Sequence, residues 1–341
     1  MIERLQKEIA AAGGWISFAR YMELALQAYY GRGDRQLGAQ GDFVTAPELG
    51  KLFGRTLARQ LKEIEGPILE LGAGSGALAE TLLKELERDY LILETSAALR
   101  ERQRARLGDK VKFLDRLPEA WHGVVIANEV VDALPVHALA WRAEGIMERG
   151  VSGELTWAER SASGHLLEAA SDIHVPNPYE SEIGLAARAW MRSLAERLEQ
   201  GAIFVIDYGF PRHEYYHPQR SMGTLMCHAR HRAHGDPFER PGAQDITAHV
   251  DFSALARAAR EGGLELLGYA TQAQFLVNCG ITEVLAQANV ENALRYAPIA
   301  AQAQTLLSPA EMGELFKVLA VGRGVKLPLA GFSRGERSNT L

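Results

Sequence analysis

The chain has 341 residues, 37 basic and 43 acidic side chains and a formal charge of −6, with 47% hydrophobic and 23% charged residues. That balance excludes intrinsic disorder and fibrous folds, and it argues against bulk nucleic-acid binding, which asks for a basic stripe. No apolar run reaches the roughly 18 residues of a membrane helix, and the two cysteines, Cys227 and Cys279, form neither a CxxC pair nor a disulfide framework. Glu3 and Glu8 near the start argue against a secretory signal or an acid-poor transit peptide. The expectation is therefore a cytoplasmic setting without membrane insertion.

In chain order, Leu5 to Ala28 reads as two helices broken at Gly13-Gly14. A glycine-rich stretch from Tyr30 to Gly41 follows, and Glu48 opens a helix whose apolar stripe is Leu49, Leu52, Phe53, Leu57 and Leu61. Gly66-Pro67 closes this first region, residues 1–66. Short apolar runs then alternate with helices. Ile68-Leu69 is a strand, Leu78–Leu86 a helix, Tyr90–Glu94 a strand, Ala97–Leu107 a helix, and Val111–Leu114 and Gly123–Ala127 are strands. That alternation predicts right-handed crossovers and a doubly wound α/β fold with a mostly parallel sheet.

Residues at about 138–182 break the rhythm as short antiparallel strands inserted into the wiring. Ile183–Leu198 is a long helix and Ala202–Asp207 a buried strand. Residues 210–249, rich in His and Arg, read as a long ordered loop. Helices at Asp251–Glu261, 281–288 and 291–306, with strands Leu264–Tyr269 and Phe316–Val321, complete a domain over 67–327. Residues 328–341 read as a flexible tail.

The strongest local signal is Ile68-Leu-Glu70-Leu-Gly72-Ala-Gly74-Ser-Gly76. Glycines between a strand and a helix let the backbone approach a ligand at the helix N-terminus. Gly72-x-Gly74-x-x-Ala77 also fits a dinucleotide fingerprint, but Glu70 stands two residues ahead of Gly72 and would repel a pyrophosphate. The same acid suits a ligand with an ammonium group, such as S-adenosylmethionine. Glu94, 18 residues past Gly76 at the end of the next strand, would accept from the ribose hydroxyls. Asp115, closing Val111–Leu114, would accept from the adenine amino group.

Ligands of an open α/β sheet sit beyond the carboxyl ends of the strands. The next such end is Asn128-Glu129-Val-Val-Asp132-Ala-Leu-Pro135. Its two acids favour a cationic acceptor, and guanidinium is a cation that binds carboxylates through a fork of N–H donors. The plainer alternative for Asp132 is a local cap or pair.

Six segments occur in order: Gly41-Asp-Phe-Val-Thr-Ala-Pro-Glu48, Glu70 to Gly76, Asn128 to Pro135, Asp207-Tyr-Gly209, Arg220-Ser-Met-Gly-Thr224 and Asp245-Ile-Thr-Ala-His-Val-Asp-Phe252. Together they resemble the MidA-like class I methyltransferases, the family of mitochondrial complex I assembly factor 7, over nearly the whole chain. The resemblance implies a Rossmann-like, seven-stranded, mostly parallel sheet and S-adenosyl-L-methionine as cofactor. For mitochondrial members it implies symmetric dimethylation of an arginine on a respiratory complex I subunit.

Carried onto this chain, the resemblance puts Gly72, Gly74 and Gly76 at the amino-acid end of the cofactor, with Glu70 behind them and Glu94 on the ribose; Asp115, Asn128, Asp42 and Thr45 complete the expected cofactor-binding residues. Glu129 is the first acid on the acceptor and Asp132 the second. Asp207 or Asp42 completes a negative pocket, and His249 takes the released proton.

Six of the ten histidines fall between His213 and His249, and His228-x-x-His231-x-x-His234 invites a metal reading. Structural zinc prefers cysteine with histidine at other spacings, and methyl transfer from a sulfonium needs no Lewis acid, so no metal is expected. The functions left standing are a protein methyltransferase, a non-catalytic assembly factor that binds S-adenosylmethionine, and a small-molecule methyltransferase. A nucleotide-dependent oxidoreductase is disfavoured by Glu70.

Overall fold

Strands whose residues are apolar on both faces need helices on both sides, and the centre of the molecule is built that way. The computed structural model describes residues 1–31, 45–229, 232–288 and 292–341. Asp42, Arg230 and His231 lie outside the described residues. The central sheet contains β1 (Ile68–Leu71), β2 (Tyr90–Leu93), β3 (Lys112–Leu114), β4 (Trp121–Asn128), β5 (Leu198–Phe210), β6 (Glu265–Thr271) and β7 (Phe316–Arg323). Their order across the sheet is β3-β2-β1-β4-β5-β7-β6. All run parallel except β7, which is antiparallel to both β5 and β6. A two-residue strand, Val250–Asp251, adds to the end of β5.

Residues Ala202 to Ile206 of β5 are completely buried. One face of the sheet packs against helices Lys51–Leu61 and Ala77–Glu85 and the helices between Gln272 and Leu307. The other packs against Leu185–Arg197 and Phe252–Glu261. Side-chain caps mark several starts: Ser96, Asp251 and Thr271 each accept from the backbone N–H three residues on.

The insertions form two further sheets. Trp15–Ser17, Gly145–Ser152, His137–Arg142 and Tyr179–Ile183 pair antiparallel in that order, and Trp157–Ser161 pairs with Gly145–Ser152. The break at Gly13-Gly14 is thus followed by a short strand before helix Phe18–Tyr30 begins. Arg232–His234, Met226–Ala229 and Asp245–Thr247 form the third sheet. The N-terminal helices pack against both insertions, with Leu5, Phe18 and Tyr21 meeting Val136, Val151, Cys227 and Ile246 in one apolar cluster.

Two expectations need correction. Residues 210–249 are not one long loop: they contain helix Arg212–Tyr215 and the three strands, of three or four residues each, that build the third sheet. Those strands are too short and too polar to show a period. Residues 328–341 are not a flexible tail, because Leu329 and Phe332 are buried. The Gly331 N–H donates to Gln60 Oε1 at 2.7 Å and the Arg337 N–H to the Tyr269 carbonyl at 2.7 Å. The Phe332 ring lies where a Cβ on Gly268 would stand.

Candidate active site

The carboxyl ends of β1, β2 and β4 open onto a cavity of about 340 Å³, within the size range of small-ligand pockets. The glycine turn forms its floor. Gly72 is left-handed (φ +63°), and a Cβ there would come within 3.0 Å of the Val130 side chain. Only glycine therefore lets the turn lie under the β4 loop. Gly74 also lines the cavity, whereas Gly76 does not: it precedes helix Ala77–Glu85 in a left-handed conformation.

Two of the acids that line this space, Glu70 and Glu94, stand at or beside the glycine turn. Glu70 is buried, accepts from Tyr90 Oη at 2.7 Å, and lines the cavity. Burial pushes its pKa up to about 7, the Tyr90 hydroxyl opposes the rise, and Glu94 adds to it. Glu94 accepts from the Ser96 N–H at 2.9 Å and from Gln103 Nε2 at 3.0 Å, and Gln103 also donates to the Gly74 carbonyl at 2.9 Å. These bonds fix the Glu94 carboxylate beside the turn. An acid on the turn, a second acid one strand over and a glycine floor fit an amino-acid head joined to a ribose.

At the end of β4 the chain turns sharply through Glu129, a non-glycine residue at φ +53°, a conformation that costs about 1–3 kcal/mol. Its neighbours hold it there. The Glu129 N–H donates to the Ile206 carbonyl at 2.8 Å. Asp207 Oδ2 accepts from the N–H groups of Val130, Val131 and Asp132 at 3.3, 2.9 and 3.2 Å. The bend aims the Glu129 carboxylate into the cavity, where Oε1 accepts from the Ala46 N–H at 3.4 Å and from Asn128 Nδ2 at 3.3 Å. Burial first, and then the charge of Asp132, push its pKa up to about 8. No ion pair to Glu129 or Asp132 occurs among the described residues.

Not every expected residue reaches this place. Glu70, Gly72, Gly74, Glu94, Thr45, Asn128 and Glu129 line the cavity. Asp132 is buried behind it, with Oδ2 accepting from Tyr208 Oη at 2.6 Å and Oδ1 without a partner. Burial pushes Asp132 up to about 6, against the Tyr208 hydrogen bond. Asp207 is fully buried and spends its oxygens on backbone N–H groups, so it holds the turn and does not line the pocket.

Asp115 is corrected too: its side chain is 86% exposed and paired with Arg100, away from the cavity. His249 lies outside the lining, its ring against Tyr208 and Phe210. Burial, with Arg220 and Lys317 nearby, pulls its pKa down to about 4, so it is neutral near pH 7. Asp42 is outside the described residues.

Sequence reasoning missed four residues. Tyr30 lines the cavity, its carbonyl accepting from Ser96 Oγ at 2.7 Å and its hydroxyl donating to Asp245 at 3.1 Å. Glu48 accepts from Ser75 Oγ, and Arg106 donates to the same Oγ at 2.6 Å, tying helix Ala46–Leu49 to the glycine turn. Tyr208 stands in the Asp207-Tyr-Gly209 segment, Glu48 in Gly41–Glu48 and Ser75 in Glu70–Gly76, and no spacing in the sequence pairs them with their partners.

Residues 52–270 match the family model described as "Putative S-adenosyl-L-methionine-dependent methyltransferase". A superfamily member from Burkholderia thailandensis, solved bound to S-adenosyl-homocysteine, is 47% identical with a TM-score of 0.96, covering 100% of this chain and 96% of that one. The protein arginine methyltransferase NDUFAF7 homolog, mitochondrial, of Drosophila melanogaster is 29% identical over 98% of this chain and 88% of its own length. The human protein arginine methyltransferase NDUFAF7, mitochondrial, is 27% identical over 99% and 87%. The two NDUFAF7 relatives correct the cytoplasmic expectation, since both are named as mitochondrial. Free, buried Cys227 and Cys279 separate reducing from oxidising compartments and say nothing about which reducing one. No helix among the described residues is long and apolar enough to cross a membrane.

Proposed function

The chain belongs to this family of S-adenosyl-L-methionine-dependent methyltransferases, and on that premise we propose that it methylates a guanidinium nitrogen of a protein arginine. S-adenosyl-L-methionine supplies, when bound, a methyl group on a positively charged sulfonium, so the acceptor must offer a nitrogen lone pair. Glu70 and the Gly72–Gly74 turn would hold the amino-acid head, and Glu94 the ribose. The observation that carries the arginine reading is Glu129: a carboxylate bent into the cavity at a cost in backbone strain and left without a protein cation.

Glu129 would bond one edge of the guanidinium and draw its charge toward the bonded nitrogens, leaving another nitrogen to attack. Facing the acceptor, the Glu129 carboxylate is also placed to take the proton the acceptor gives up. Asp132 contributes negative charge from behind the lining, with Tyr208 fixing its orientation. The relatives named as protein arginine methyltransferases support a protein acceptor. A respiratory complex I subunit is the candidate that the family resemblance names.

The test is incubation of the chain with methyl-labelled cofactor and a mitochondrial extract, followed by hydrolysis and separation of methylated amino acids. Label in methylarginine supports the reading. Label in methyl-lysine or in small molecules alone, or cofactor binding with no transfer, overturns it.

A further inference from the structure

Between helices Leu185–Arg197 and Phe252–Glu261, four arginines line a second cavity of about 130 Å³. Arg188 and Arg192 come from helix Leu185–Arg197, Arg257 from helix Phe252–Glu261, and Arg212 opens the short helix after β5. Glu261 is the acid in the lining, 3.6 Å from Arg192. Burial raises the Asp251 pKa, and the nearby Arg188, Arg212 and Arg257 oppose that rise. Four guanidiniums against two carboxylates leave about two positive charges in a chain whose formal charge is −6.

The arginines are placed but not used up. Arg212 is anchored by its backbone N–H on Ser253 Oγ at 2.9 Å, and its side chain donates to the Asp172 carbonyl at 2.9 Å. Arg188 and Arg257 make no ion pair or side-chain hydrogen bond among the described residues. The Arg188 Nε is shut off from solvent with no acceptor. An unpaired buried guanidinium N–H is costly unless a ligand satisfies it.

We propose that this arginine cavity binds a phosphate group, as free inorganic phosphate or as a small phosphate monoester. The charge matches a phosphate dianion. Forks converging from three helices offer more donors than the two oxygens of a carboxylate can take, whereas a phosphate presents at least three oxygens. The volume suits a phosphate group. The proposal is independent of which acceptor the methyl group goes to.

Calorimetric titrations of the full chain with inorganic phosphate and with phosphoserine, at fixed ionic strength set by sodium chloride, test it. Either ligand should bind with a dissociation constant of about 1 mM or tighter, and the Arg188→Gln/Arg257→Gln double variant should bind at least about tenfold more weakly. Binding of S-adenosylmethionine by the double variant should be unchanged, which reports that it is folded. If the double variant misfolds, exposed Arg257→Gln alone should still weaken binding. No heat with either ligand, or binding untouched by the substitutions, overturns the proposal. Phosphoserine without free phosphate identifies the monoester as the ligand, and the reverse identifies the free ion.

Discussion

Glu129→Gln keeps the shape of the side chain and removes its charge, so it separates the two halves of the site. Breaking a buried ion pair by deleting one partner costs about 3–5 kcal/mol, which is about two to three and a half powers of ten in kcat/KM for an arginine acceptor. Cofactor affinity should stay within about threefold of wild type, because Glu70, Glu94 and the glycine turn are unaltered.

Stability should move the other way. The wild-type Glu129 pKa rises from 4.5 in the unfolded chain to about 8 in the fold, chiefly by burial. The unfolded state therefore loses its proton first, and wild-type stability falls as pH rises between those values and levels off above 8. At about 1.36 kcal/mol per pH unit the full penalty is about 4–5 kcal/mol; partial solvent contact at the cavity mouth reduces it to about 2–4 kcal/mol. The glutamine variant escapes that penalty, so it should equal wild type near pH 4.5 and exceed it by that amount at pH 9. The measurements are labelled methyl transfer, cofactor titration, and denaturant unfolding at the two pH values. Transfer within tenfold of wild type, or loss of cofactor binding, would refute the assignment of Glu129 to the acceptor.

Burial raises Glu70 to about 7, and a bound ammonium favours its carboxylate. Cofactor affinity should therefore climb about fivefold from pH 6 to 7 and about tenfold from pH 6 to 8, levelling off above 8, with proton release seen as buffer-dependent heat; a flat profile rejects the Glu70 role. Tyr208→Phe removes the hydrogen bond that opposes the rise of the Asp132 pKa, so the acid limb of the pH–rate profile should move to higher pH. Acceptor KM should increase about tenfold with cofactor affinity unchanged, and an unmoved pH profile would reduce Tyr208 to packing. Phe332→Ala should cost about 3–5 kcal/mol of stability because the ring is buried against Gly268 and Phe275. Unchanged thermal unfolding would mean the last residues are not docked.

The central sheet was legible because its signals are local. Tyr90–Leu93 and Ala202–Ile206 are unbroken apolar runs of strand length, and the Ala97–Leu107 helix falls where its pattern predicts. The third sheet was not legible, since Arg232–His234 and Asp245–Thr247 are three-residue strands defined only by their partner Met226–Ala229. Leu329 and Phe332 failed for a related reason: two isolated apolar residues carry no period, and only the groove around Gly268 and Gln60 gives them a place.

The same division between local and long-range information runs through the site. Glu70, Gly72, Glu94 and Glu129 could be read because each stands at the end of a strand, where a doubly wound sheet presents its ligand-binding edge. That rule gives a residue's neighbourhood and not its direction, which is why Asp115, also at a strand end, turns out to solvent beside Arg100. Asp207 shows the converse error. Its charge pointed to the pocket, but a carboxylate that accepts from three consecutive N–H groups is a brace for the bend at Glu129.

That brace explains why an acid is needed at a position with no acceptor to touch. Without it, Glu129 would relax out of its left-handed conformation and its carboxylate would leave the cavity. Asp207→Ala should therefore lower transfer nearly as much as Glu129→Gln, but by loosening the turn. It should also lose about 2–4 kcal/mol of stability, from N–H groups left buried without an acceptor. A variant with wild-type thermal unfolding would show that the bend is held by something other than Asp207.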